Sequence, residues 1–155
     1  MKKSILKIAI ILSAFAILAT SCGKDDDDEV TTLKGKYTLT MDGKTVASGE
    51  TTEVGMIGNT ISLSLGESFA VLVTGVPESV GGVAQIGDDE SDASVSITGK
   101  NLLGNGADEL YFSITGTIKR STAGKITFEG TCSEFGGTTT HTFSGTAESD
   151  VFKII

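Results

Sequence analysis

The chain has 155 residues, with 12 Lys and Arg against 20 Asp and Glu, one Pro, no Trp and two Cys, and this length is enough for one domain. The first 21 residues hold three Lys and no acid, so the rest carries 9 basic and 20 acidic groups, a net charge of −11, which repels phosphate backbones and excludes a nucleic-acid binder. Thr, Ser and Gly occupy 52 of the 126 positions from 30 to 155; such a composition leaves little helical periodicity and excludes helical bundles and doubly wound α/β folds.

The N-terminus has the three parts of a secretory signal. Residues 1–7 are basic, residues 8–18 are apolar, and the small residues at 19–21 precede Cys22. This order predicts a signal peptide over residues 1–21 that is cleaved. The alternative is a retained membrane-spanning helix, but the uncharged stretch of 16 residues is shorter than the ~20 that cross a bilayer.

The end of the apolar run contains a short motif around Cys22. Its sequence is Leu-Ala-Thr-Ser-Cys over residues 18–22, and it resembles the lipobox of bacterial lipoproteins, with Ala19 where that family commonly has Leu. The resemblance implies that Cys22 is acylated and becomes the first residue of the mature chain, anchored in a membrane. Two or three acyl chains make a stable anchor, whereas one does not. The alternative is an unmodified thiol.

An acidic run follows the cysteine at once. It resembles the export signal of surface-exposed lipoproteins in the Bacteroidota, which implies a lipid-anchored protein of the outer membrane, exposed at the cell surface. The alternative is a plain solvated tether, because a run of like charges stays extended. We therefore divide the chain into a signal (1–21), a lipidated Cys with an acidic tether (22–32) and a β domain (33–155). The residues of the predicted export signal are Lys24, Asp25, Asp26, Asp27, Asp28 and Glu29.

From residue 33 onward, apolar and polar residues alternate in short segments separated by turns, which predicts strands with one buried face. Asp42 and Gly43 form the dipeptide that two-residue hairpin turns prefer. The clearest predicted strands are 33–41, 60–65, 69–74, 93–99, 110–120, 125–132 and 139–147, and weaker ones are 45–48, 83–86 and 151–155.

These strands predict an all-β fold. The expected architecture is a single antiparallel β-sandwich or flattened barrel of about eight to ten strands, since both hide the apolar face and the edges of a sheet. The alternative is an up-and-down barrel, because Leu33-x-Gly35-x-Tyr37-x-Leu39 resembles the Gly-x-Trp opening of lipocalin-like domains. The later strands resemble those of small, functionally unassigned β-sandwich lipoproteins of the same bacteria.

Glycines recur on the apolar face of four predicted strands. A hairpin over Thr122, Ala123 and Gly124 would place Gly116 opposite Gly130, and a turn between residues 137 and 138 would place Gly130 opposite Gly145. The second turn would also pair Cys132 with Phe143 and Glu134 with His141. A row of inward glycines indicates sharp curvature, with Phe side chains covering the backbone, or alternatively a shallow ligand groove. The four glycines are Gly99, Gly116, Gly130 and Gly145.

Few residues offer catalytic chemistry. We expect His141 to be partly buried and structural, because no Gly-x-Ser-x-Gly motif accompanies it. Cys132 falls on an apolar face, where burial raises the pKa of a thiol and makes it inert. The acids at 88–92 lack the spacing of a Ca²⁺ loop, although Asp108 and Glu109 could complete a site if the fold brought the two loops together.

The sequence therefore predicts no catalytic residues, no metal site and no cofactor. Glycoside hydrolysis also fits poorly, because the exported part has no Trp, two Tyr and six Phe and sugar-cleaving sites use aromatic side chains to stack against rings. The leading hypothesis is a non-enzymatic surface lipoprotein that reaches the membrane through its N-terminal lipid. It would act as a binding or accessory module of the cell envelope, with an envelope protein or glycan as its partner. The alternative is a lipocalin-like carrier of a small apolar ligand, which needs an apolar cavity of a few hundred Å³.

Overall fold

A computed structural model describes residues 33–64, 69–87, 91–104 and 106–153. The predicted signal, Cys22 and the acidic run lie outside these residues. The described chain forms one antiparallel sheet, and none of its helices is long and apolar enough to cross a membrane. The strands are β1 (Leu33–Met41), β2 (Lys44–Ile57), β3 (Thr60–Ser64), β4 (Phe69–Thr74), β5 (Val83–Ile86), β6 (Ser94–Lys100), β7 (Asp108–Thr122), β8 (Lys125–Glu134) and β9 (Thr140–Ser149), followed by a 3-10 helix over Asp150–Lys153.

The sheet closes on itself into a flattened barrel. Around the ring the strands pair in the order β1-β2-β3-β4-β6-β7-β8-β9, and β9 returns to β1. Strand β5 lies outside this ring. It pairs with the C-terminal half of β7, whereas β6 pairs with the N-terminal half. The fold class predicted from the alternating pattern is confirmed. Closure of the sheet leaves few free strand edges, which limits unwanted pairing with strands of other chains.

The two ends of the barrel differ. The upper end carries the turn between β1 and β2, where Asp42 (φ 48°) and Gly43 (φ 74°) both have positive φ, as the sequence predicts for a two-residue hairpin. The lower end is where the described chain enters at Leu33. There the 3-10 helix inserts Phe152, which is fully buried against the core.

Inward side chains of the ring form one continuous apolar core. Period-two alternation places these residues on one face of each strand, and closure turns every such face toward the same interior. The largest inward side chains of β7, β8 and β9 are aromatic and at most 3% exposed. They are Tyr111, Phe128 and Phe143. The predicted burial of Cys132 is confirmed, since its exposed fraction is 1%.

Two predicted elements differ from the structure. The weak strand at 45–48 is part of a much longer β2, which spans Lys44–Ile57. The strand predicted at 151–155 is wrong in its described part, because Asp150–Lys153 is a 3-10 helix and residues 154–155 lie outside the described chain. Within this terminus, Phe152 is the described residue that the barrel buries.

Candidate functional site

The outward side of β7, β8, β9 and β1 is covered by hydroxyl groups. Its residues alternate with the buried ones, so the same period that builds the core presents Thr and Ser to solvent. Strand pairing aligns them in rows across the four strands. We call this surface the hydroxyl face; its rows are Thr38, Thr146 and Thr127, then Thr40, Ser144, Glu129 and Thr117, then Thr142, Thr131 and Thr115.

A shallow pocket of about 520 Å³, open to solvent, lies on the hydroxyl face. It lies toward the upper end, because Gly43 of the β1–β2 turn is part of its wall. Six of its ten lining residues have polar side chains, with five hydroxyl groups and one carboxylate. These six side chains belong to Thr40, Thr117, Glu129, Thr131, Thr142 and Ser144.

The floor of the pocket includes two paired glycines. Gly116 and Gly130 are direct partners across β7 and β8, as the sequence predicts, and both line the pocket. A Cβ on Gly130 would collide with the carbonyl oxygen of Thr115 and lie 2.8 Å from the Gly116 Cα. The two strands therefore approach each other too closely for a side chain at Gly116 or Gly130.

The rest of the predicted glycine row is wrong. Gly145 lies opposite Phe128 instead of Gly130, and Gly99 lies opposite Glu109. The Phe128 ring does occupy the space that a Gly145 side chain would need, so an aromatic ring covers bare backbone as expected. Of the four glycines of the predicted row, Gly116 and Gly130 are therefore the pair that meets across neighbouring strands.

The β8–β9 connection explains this difference. The turn is centred on Phe135 and Gly136, with Gly136 at φ 79° and a hydrogen bond from the Gly137 N–H to the Glu134 carbonyl. The register therefore shifts by two residues from the predicted one. Cys132 pairs with His141 instead of Phe143, so the predicted pairing of Glu134 with His141 is wrong as well.

The β7–β8 hairpin reaches its predicted register by another route. Gly124 has no positive φ, and Thr122 pairs directly with Lys125 around a two-residue turn. A bulge between Arg120 and Thr122 takes up the extra residue. Such a bulge changes strand pairing by one residue, which restores the pairing of Ile118 with Phe128.

Asp42 links the β1–β2 turn to β9 through hydrogen bonds beside the pocket. Its carboxylate lies 2.7 Å from the His141 Nδ1 and accepts a 2.9 Å hydrogen bond from the Thr142 N–H. The hydrogen bond with His141 is the largest cause of a lowered Asp42 pKa, and the Thr142 backbone adds to it. Gly43 and Thr142, both neighbours of these groups, line the pocket, so this contact positions its upper wall.

His141 and Cys132 are partners across β9 and β8. The His141 side chain is 18% exposed and packs edge-on against Tyr111, with ring centroids 5.5 Å apart. Burial, followed by the charge of Asp42, raises the pKa of the Cys132 thiol to about 11. A nucleophilic cysteine needs a lowered pKa, so the geometry agrees with structural roles for both residues.

Tyr111 and Glu109 form a second inward polar pair. The Tyr111 hydroxyl donates to Glu109 Oε1 at 3.1 Å, and Glu109 Oε2 accepts from the Leu103 N–H at 3.2 Å. Burial, with the Glu109 hydrogen bond, raises the pKa of Tyr111 well above its usual value. Glu109 is thus turned into the barrel, where it holds the loop before β7.

The acidic loop yields no metal centre in the part of the chain that the structure covers. Residues 88–90 of the predicted loop fall outside the description, whereas Asp92 is exposed. Across the described ranges, no three His, Cys, Asp or Glu side chains converge as a metal site requires. Glu109, the proposed partner of this loop, is committed to the interior.

The hydroxyl face was not identified as a site from the sequence, although its signal is present. Thr or Ser alternates with buried residues along β9 and β8, and the same pattern continues into β7. Comparisons of the chain with protein-family models, with curated proteins and with solved structures find no match. The fold and this pocket therefore define the chain as a closed antiparallel β domain with a pocket on its outer surface.

Proposed function

We propose that the protein is a non-enzymatic, surface-exposed lipoprotein whose β domain binds a glycan or protein of the cell envelope. The signal and lipobox around Cys22, with the acidic run behind it, support the outer-membrane location. The pocket on the hydroxyl face is the observation that carries the binding role. Its lining offers hydrogen-bond donors and acceptors to solvent.

The position of the pocket agrees with such an anchor. The described chain enters at the lower end, whereas the pocket lies toward the upper end beside Gly43. Eleven tether residues, 22–32, span up to about 36 Å when extended. A domain anchored in this way can present its upper end away from the membrane, where an envelope ligand can reach it.

The lipocalin-like carrier receives less support from the geometry. A carrier holds its apolar ligand inside the barrel, but the inward side chains here pack into one continuous buried cluster. The pocket lies on the opposite face, and five of its ten lining residues carry hydroxyl groups. Solvent extraction of the purified protein followed by mass spectrometry distinguishes the two functions, because a carrier would release a bound apolar molecule.

Replacing Cys22 by Ala is expected to release the protein from membranes without unfolding the β domain. The sheet begins at Leu33, so the variant removes the acylation site and leaves the core intact. Fractionation of cells after a salt wash measures the change. Cys132→Ala is the matched control, because it also removes a thiol but should stay with the membrane; equal retention of both variants would contradict the lipid anchor.

Removing two pocket hydroxyls is expected to weaken binding to cell envelopes at least fivefold. Thr117→Val with Thr142→Val keeps the branched shape and removes two hydrogen-bonding groups, each worth about 0.5–1.5 kcal/mol. The measurement is saturation binding of the purified chain to envelopes from cells that lack it.

The control for this experiment lies on the same face outside the pocket. Thr38→Val with Thr127→Val makes the same chemical change in the lower row and should leave the affinity within twofold. Thermal melts verify that both double variants fold. Binding that is unaffected by the pocket pair, or reduced equally by both pairs, would show that this pocket is not the recognition site.

A further inference from the structure

We infer that the pocket on the hydroxyl face takes a polyhydroxylated ligand bearing a protonated amine, of which an amino sugar is the simplest example, with Glu129 holding the ammonium group. This inference rests on the proposed binding function and adds the chemical class of the ligand. It is carried by the hydroxyl groups of the pocket, by the position of Glu129 among them, and by the charge around it.

The pocket offers hydroxyl groups that the fold does not use. Among the hydrogen bonds of the described residues, none involves the side chains of Thr40, Thr117 or Ser144, while Thr131 pairs with Thr115 at 2.9 Å. Each hydroxyl can donate one hydrogen bond and accept two. Such groups suit a ligand that itself carries alternating donors and acceptors, as the hydroxyls of a sugar do.

Glu129 is the charged side chain of the pocket lining. It lies on β8 between Ser144 of β9 and Thr117 of β7, so its partners across both strands are hydroxyls. The ion pairs of the described chain are Lys36 with Glu50, Lys125 with Glu148 and His141 with Asp42, and none includes Glu129.

The nearest cation by strand register does not neutralise this carboxylate. Lys119 lies on β7 opposite Thr127, in the row below Glu129, and no ion pair joins the two. The carboxylate thus remains available to a ligand. A cation from the ligand placed there would form a charge-assisted hydrogen bond, which is about twice as strong as a neutral one.

Charge also selects against the acidic sugars. The chain beyond residue 21 has a net charge of −11, and a field of that sign attracts cations and repels uronic acids, sulfates and phosphates. Among the described residues that line the pocket, Phe143 is the one aromatic, and it is 3% exposed. Ring stacking therefore contributes little, and recognition depends on hydrogen bonds and on the amine.

Calorimetry with two matched oligosaccharides tests this inference. The probes are a β-1,4-linked glucosamine hexamer and its fully N-acetylated counterpart, titrated into the full chain purified in detergent at pH 6. The two share ring shape and linkage, but acetylation removes the positive charge. We expect the free-amine hexamer to bind at least tenfold more tightly.

A pair of charge variants locates the contact. Glu129→Gln keeps the shape of the side chain and is expected to lower affinity for the free-amine hexamer about tenfold, while binding of the acetylated hexamer changes less than twofold. Glu50→Gln makes the same change at an exposed position on β2 and should have less than a twofold effect. An equal loss in both variants would indicate diffuse charge attraction and overturn the inference.

The remaining outcomes separate this inference from the proposed function. Equal affinity for the two hexamers, or no binding of either, overturns the assignment of an amine-bearing ligand. The proposed function stands or falls separately, because the Thr117 and Thr142 variants are measured on whole envelopes with any ligand present. Glu129→Gln is also measured on whole envelopes. If this variant binds the free-amine hexamer less tightly but binds envelopes as well as the unchanged chain, Glu129 does not contact the envelope ligand and the inference is overturned.

Discussion

Gly130→Val is expected to lower the free energy of unfolding by about 3 kcal/mol or more, at or above the upper end of the cost of overpacking. The reason is that the new Cβ would meet backbone, namely the Thr115 carbonyl oxygen and the Gly116 Cα, the latter at 2.8 Å. A backbone contact cannot be relieved by rotating a side chain. The loss is large against the ~5–15 kcal/mol that holds a typical domain together.

The neighbouring residue supplies a matched control. Thr131→Val lies on the same strand but faces outward, keeps its branched shape, and loses a hydroxyl contact with Thr115 at an exposed position. Its cost should stay within about 0.5 kcal/mol, as for other surface changes. Denaturant unfolding of both variants measures the difference. A larger loss for Thr131→Val would mean that the facing of β8, and with it the burial of Cys132, is inverted.

The contrast between the two glycine pairings shows what local sequence determines. The β7–β8 connection is short, so the pairing of Gly116 with Gly130 could be predicted, and the bulge at Arg120 preserved it. Between β8 and β9, two adjacent glycines can both support a turn. Gly136 is the one with positive φ, and choosing its neighbour moves every later pair by two residues while leaving each side chain on its predicted face.

The ends of the chain and the long β2 required tertiary information. Gly49 (φ 147°) interrupts the alternation of β2, so the pattern near it predicts a short strand although the pairing with β1 extends past it. At the C-terminus, Phe152 is buried because the lower end of the barrel is open to it. A strand and a 3-10 helix can both bury one residue of such a short segment, and its sequence does not distinguish them.

The site combines predictable and unpredictable parts. The outward facing of Thr and Ser on β8 and β9 follows from alternation, and so does the inward facing of His141. The pocket depends instead on contacts between distant segments: Thr40 joins its wall through the pairing of β1 with β9, and Asp42 reaches His141 across 99 residues of sequence. Such contacts exist only once the sheet has closed.

Arg120 is the second residue whose replacement should be costly. It is 3% exposed at the lower end, and its guanidinium donates hydrogen bonds to the backbone carbonyls of Glu78, of Ala123 at 3.4 Å and of Phe152 at 2.6 Å. These carbonyls belong to the loop before β5, the β7–β8 turn and the 3-10 helix. One side chain thus joins three segments that share no strand pairing with one another.

Arg120→Met should therefore lower the free energy of unfolding by about 3 kcal/mol, because a buried carbonyl left without a donor costs about 1–3 kcal/mol. Arg120→Lys should lose less stability than Arg120→Met, because the ammonium group keeps the charge and can still donate. It should still lose some, because an ammonium group cannot reach all three carbonyls as the planar guanidinium does. Lys119→Met, at the exposed neighbouring position, is the control and should be nearly neutral.

Hydrogen exchange adds a local readout: protection of the Phe152 region should fall in Arg120→Met before the sheet opens. Buried ionic groups can sometimes be replaced by apolar side chains without loss, so an equally stable Arg120→Met variant with a protected C-terminal helix would show that Phe152 alone closes the barrel, with the guanidinium merely accommodated beside it.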